Sequence, residues 1–93
     1  MIIRIMGDNQ YRVADTNHAA IKRIEQLDDE LVQAVEAGDD ARFEQLLAEV
    51  IERVHQEGQV VPAGELVASE LMVPAADMTL AEVRALLHRV AAN

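Results

Sequence analysis

The chain contains no cysteine and no tryptophan, and Tyr11 and Phe43 are its only aromatic residues. Without cysteine, a disulfide scaffold and a thiolate metal site are both excluded. With so few rings, the core must be assembled from Leu, Ile, Val and Ala, which suits the packing of helices. Glycine is scarce and dispersed at Gly7, Gly38, Gly58 and Gly64, so no glycine-rich phosphate loop can form. Ser69 is the only serine, and no histidine or acid accompanies it in a triad arrangement. No stretch approaches the ~18 apolar residues of a membrane-spanning helix, and no basic start precedes a long apolar run. A soluble, cytoplasmic protein is the class expected from these absences.

What is present is aliphatic and acidic. Hydrophobic residues make up 51% of the 93 residues, and the net charge is −9. That length is one domain, able to bury roughly 60–65% of its unfolded surface around a single core. The charge is uneven. Residues 1–24 carry Arg4, Arg12, Lys22 and Arg23 against Asp8 and Asp15, a balance of +2. Residues 25–70 carry thirteen acids against Arg42 and Arg53, a balance of −11, and residues 71–93 are neutral. An acidic middle opposes direct contact with nucleic acid, whose phosphates need local positive charge. It equally opposes that segment lying on anionic lipid. Its simplest role is to keep two helices soluble.

The patterning predicts an α+β fold in one domain. Ile2-Ile3-Arg4-Ile5-Met6, a turn-rich Gly7-Asp8-Asn9-Gln10 and an alternating Tyr11-Arg12-Val13 read as a β-hairpin over residues 2–14. Asp15, Thr16 and Asn17 are all good N-caps for a helix over about 17–37, with a stripe at Ile21, Ile24, Leu27, Leu31 and Val35. Gly38 supplies its stop, and Asp39 or Asp40 caps a second helix over about 40–57. Phe43, Leu46, Leu47, Val50, Ile51 and Val54 form the stripe of that helix, either wholly core or partly interface. So short a link makes the two helices an antiparallel αα-hairpin. Residues 58–78 are irregular in pattern and are expected to lie across the helix ends, with a helical turn or a short strand at most. Thr79-Leu80-Ala81-Glu82 is a capping box that opens a third helix over about 80–91, with a stripe of Leu80, Val83, Leu86, Leu87 and Val90.

The inventory of reactive groups is sparse. His18, His55 and His88 fall on different helices, and none has an evident partner in sequence to make it a general base. Glu52 and His55 fit one Glu-x-x-His spacing, yet dinuclear carboxylate sites need a second such motif, which is missing. Asp28, Asp29 and Glu30 with Asp39 and Asp40 lack the ordered ligand positions of a calcium loop. The expectation is therefore a protein without catalysis, metal or cofactor that works by contact. Two surfaces are candidates for that contact. One is the hairpin with Arg4, Tyr11 and Arg12, and the other is the apolar Leu66, Val67, Leu71, Met72 and Val73, richer in hydrophobic residues than a plain loop requires.

Several patterns in order also resemble a known family. The run from Met1 to Val13 is similar to the start of the PspA-associated proteins called PspAA. So are Leu27-Asp28-Asp29-Glu30-Leu31-Val32 and Ala34-Val35-Glu36-Ala37-Gly38-Asp39. Gly64-Glu65-Leu66-Val67, Leu71-Met72-Val73-Pro74 and Ala76-Asp77-Met78-Thr79-Leu80-Ala81-Glu82-Val83 complete the series. The resemblance implies a bacterial or archaeal cytoplasmic accessory protein of the envelope-stress system. Its implied partner is the coiled-coil phage-shock protein PspA, which acts at the inner face of the membrane. It carries over no catalytic residue. The alternative is a self-associating structural module, a homodimer joined through the unpaired edge of the N-terminal hairpin.

Overall fold

A computed structural model describes residues 1–91, with side chains as far as Leu87. Strand β1 (Ile2–Ile5) pairs antiparallel with β2 (Gln10–Arg12), with Ile3 opposite Tyr11. The turn closes with the Asp8 N–H donating to the Ile5 carbonyl at 3.0 Å. Alternation then sorts the side chains. Ile3, Ile5 and Tyr11 are buried on one face, together with Val13 just beyond the strand, while Arg4 and Arg12 are exposed on the other.

Helix α1 (His18–Ala37) begins at Asn17, whose side chain accepts the Ala20 N–H at 3.3 Å. It ends in a Schellman motif. Gly38 takes φ +70°, its N–H reaches Val35 at 3.2 Å, and the Asp39 N–H reaches Ala34 at 3.0 Å. Asp39 then caps α2 (Asp40–Glu57) by accepting the Arg42 N–H at 3.1 Å. The two helices pack along their length as the expected αα-hairpin, and Asn17 Nδ2 donates to Glu57 across its open end at 3.0 Å.

Residues 58–78 differ from the irregular cover expected of them: they supply both edges of the sheet. Gly58 is extended and turns the chain straight into β3 (Gln59–Val60), antiparallel to β2. A Cβ at Gly58 would stand 2.8 Å from the Val54 carbonyl and 3.0 Å from the Cβ of Tyr11, so a side chain there would force the strand away from the helix. Strand β4 (Leu71–Val73) pairs parallel to β1, giving the order β3-β2-β1-β4. Strands of two and three residues are too short to show a period, which hides them in the sequence. Their presence has a consequence for self-association. Both edges of the hairpin are already paired, so a dimer formed through an open hairpin edge has no edge to use.

Helix α3 (Leu80–Ala91) starts at the capping box. Glu82 N–H donates to Thr79 Oγ1 at 3.2 Å, and the Thr79 N–H returns to the Glu82 carboxylate at 3.1 Å. Leu80 and Val83 join the core; the side chains of His88 and of the stripe position Val90 lie outside the described residues. The core is one cluster between the inner sheet face and the helices. Ile3, Val13, Ile24, Leu27, Val35, Val50, Val54 and Val73 are its fully buried large aliphatics, and Phe43 is its largest fully buried side chain.

Candidate functional site

The eight residues singled out from sequence do not form one surface. Tyr11 and Val73 are buried in the core, because each lies at an inward position of its strand. Leu71 packs half-buried against the same core, and Val67 is half-buried with its carbonyl accepting from Gln10 Nε2 at 3.0 Å. The remaining four reach solvent. Arg4, Arg12 and Met72 stand on the outer face of the sheet, where Arg4 is registered beside Met72. The loop after β3 crosses near that face, and Glu65 forms an ion pair with Arg12. Leu66 projects from this loop, 95% exposed, beside a shallow hollow of about 330 Å³.

A larger feature lies along α2, and sequence reasoning did not single it out. A groove of about 900 Å³ runs along α2, walled on its far side by residues 76–79, between β4 and α3, and by Leu80 at the start of α3. Its construction follows from helical spacing. Phe43, Leu47 and Ile51 stand four residues apart and form one ridge of α2, the floor of the groove. Asp40, Glu44, Ala48 and Glu52 form the neighbouring four-residue ridge, acidic except where Ala48 leaves a gap. Phe43 and Leu47 belong to the core, whereas Ile51 is half-buried and Ala48 exposed. Met78 faces them from the far wall, half-buried, with Asp77 exposed beside it. Among the described residues the lining contains four acids and neither lysine nor arginine.

One end of the groove is fixed by a polar cluster. His55, the next position along the floor ridge, places Nε2 2.8 Å from Asp8 in the β1–β2 turn. The phenol of Tyr11 donates to the same carboxylate at 2.9 Å, and the Tyr11 and His55 rings lie 5.2 Å apart, tilted by 51°. The hydrogen bond to His55, with that from Tyr11, holds the Asp8 carboxyl below its ordinary range. Burial, together with the Asp8 contact, pushes the Tyr11 phenol up. His55 thus has the partner that its sequence neighbourhood lacks, supplied by a residue far away in the chain. Glu52, its partner in the Glu-x-x-His spacing, instead accepts from Gln56 at 3.3 Å.

The signal for the groove is present in the sequence of α2. Eight residues at 100° each put Ile51 roughly 80° around the helix from Phe43, on the flank of the stripe rather than its centre. Ala48 lies farther round on the same flank. The arc is therefore wider than one buried face requires, and the excess is what remains at the surface.

No helix among the described residues is long and apolar enough to cross a membrane. A family model described as PspA-Associated protein, PspAA, matches residues 1–92. No curated protein and no solved structure matches the chain.

Proposed function

The chain belongs to the PspA-associated protein family, and on that basis we propose that it is a non-catalytic accessory protein that binds a PspA-type coiled-coil protein in the envelope-stress response. The single observation that carries a contact role is the apolar groove along α2, open to solvent over Ile51, Ala48 and Met78. Helices dock into such grooves through residues at i, i+3, i+4 and i+7, and a coiled-coil protein is a ready source of helices. The groove, rather than the basic hairpin, is the docking surface in this reading. Of the hairpin's arginines, Arg4 borders only the smaller hollow, and Arg12 is engaged by Glu65.

Under this proposal the protein works in the cytoplasm and reaches the inner membrane face only through its partner. Net charge supports that order of events, since an acidic chain approaches anionic lipid poorly by itself. Co-purification with a co-expressed PspA-type protein tests the reading. Retention of the two together at low and moderate salt is the expected result. Separation at both salt levels counts decisively against a binding role.

A further inference from the structure

Resting on that reading, we infer that the α2 groove receives a single amphipathic helix whose apolar stripe is bordered by lysine or arginine. The shape sets the first condition. The lining runs from Asp40 to Gln56, which at 1.5 Å per residue is roughly 25 Å, or between four and five helical turns. The floor is an apolar ridge that winds gradually round α2, and the small side chains of Ala48 and Ala76 on either side let a second backbone come close.

Charge sets the second condition. Asp40, Glu44 and Glu52 line one margin and Asp77 stands on the other; among the described residues of the lining no lysine or arginine neutralises them, and His55 at one end is bonded to Asp8. An incoming helix with acidic flanks would meet like charge, and one with neutral flanks would leave the four acids without partners. One with basic flanks pairs with both margins and is steered toward them. The same charge disfavours a second copy of this chain docking through its own α2 face. Residues 25–70 carry a balance of −11, so two α2 faces brought together would set their acidic ridges against each other. The floor ridge also ends at His55, which Asp8 holds in place from outside the helix. That end is built before any partner arrives.

Two synthetic helical peptides of about 18 residues test this. They share one leucine–alanine stripe and differ only in flanks of lysine or of glutamate. Each is titrated into the full chain and followed by amide and methyl NMR. The lysine peptide is expected to shift signals of Ala48, Ile51 and Met78 and to bind roughly tenfold or more tighter than the glutamate peptide. Its affinity should fall as salt rises. The double variant Glu44→Lys/Glu52→Lys, at exposed positions and checked for fold by circular dichroism, should reverse the preference toward the glutamate peptide.

Equal binding of both peptides, no shifts in the groove, or shifts at Arg4 and Met72 on the sheet face instead would each overturn the inference. So would groove signals that move with protein concentration when no peptide is added, since these assign the groove to a second copy. Failure here is separable from failure of the functional proposal. A PspA-type protein that co-purifies when the lysine peptide leaves the groove untouched preserves the function and removes the groove. A peptide that binds as expected while the PspA-type protein does not leaves the groove and removes that partner.

Discussion

The Nη2 atom of Arg84 lies 2.6 Å from the carbonyl oxygen of Val35, so that α3 closes the C-terminal end of α1. Helix α1 has no basic residue in its own last turn. Its terminal carbonyls carry the negative end of the helix dipole, and the guanidinium from α3 supplies the missing charge and donor. The contact also binds the third helix to the αα-hairpin.

Removing that guanidinium is predicted to loosen α3 first. Arg84→Ala should cost about 1–2 kcal/mol, or a Tm lower by about 4–8 °C per kcal/mol in a domain of this size. Hydrogen exchange should show the extra opening concentrated in α3 and the last turn of α1, with the sheet amides little changed. Uniform loss of protection would mean that Arg84 is only one contact among many.

Gly38 allows a second stability test at the same corner. Its φ of +70° is a left-handed conformation, which costs an L-residue about 1–2 kcal/mol. A Cβ there would also sit 3.4 Å from Nη2 of Arg84. Gly38→Ala should therefore lower the denaturation midpoint without changing the slope of the transition. An unaltered midpoint contradicts the Schellman geometry.

Asp8 and Tyr11 predict opposite limbs of a pH–stability curve. The Asp8 carboxyl titrates below its ordinary 3.8 in the folded chain, through its bonds to His55 and Tyr11. A lowered folded value means stability that is present above 3.8 and lost as pH falls through the lower folded value. The Tm gap between wild type and Asp8→Asn, widest near neutrality, should narrow as pH falls below 3.8. A gap that stays constant would deny the carboxylate its part in joining the hairpin to α2.

The phenol of Tyr11 titrates above its ordinary 10.0 when folded, chiefly because it is buried. The unfolded chain then ionises first, so stability is complete below pH 10.0 and declines as pH rises toward the folded value. Alkaline melts should show this decline in wild type and its absence in Tyr11→Phe. Equal alkaline limbs in the two proteins would place the phenol in solvent.

What the sequence disclosed and what it hid follow from range. The helices, the αα-hairpin and the Thr79–Glu82 capping box rest on residues within four positions of each other, so spacing alone reveals them. Strands β3 and β4 are made of two and three residues whose pairing partners lie far away in the chain. Nothing local distinguishes them from loop. The Asp8–His55 bond is equally non-local, which is why His55 looks partnerless in sequence. Tyr11 and Val73 illustrate a different loss. Tyr11 belongs to the hairpin surface and Val73 to the apolar segment as contact candidates, but the pleat turns both inward. The groove falls between these cases. Its α2 side was legible in the breadth of the apolar arc through Ile51, whereas its far wall depends on where β4 leaves residues 76–80.

A core and a surface position on neighbouring helices should separate stability from binding. Leu27 is 1% exposed, and Leu27→Ala should cost about 2–5 kcal/mol. Ile51 is half-buried at the groove floor, so Ile51→Ala should cost distinctly less in urea melts. Equal costs for the two would mean that Ile51 is core and the groove is closed in solution.

The central claim, that a PspA-type partner docks in the α2 groove, is tested most directly by calorimetric titration of that partner into three forms of the chain. These are wild type, Glu44→Lys/Glu52→Lys at the acidic margin, and Arg4→Glu/Met72→Gln on the outer sheet face. The groove variant is predicted to lose roughly tenfold or more in affinity, with the sheet-face variant indistinguishable from wild type. Loss confined to the sheet-face variant, with the groove variant unaffected, contradicts the account.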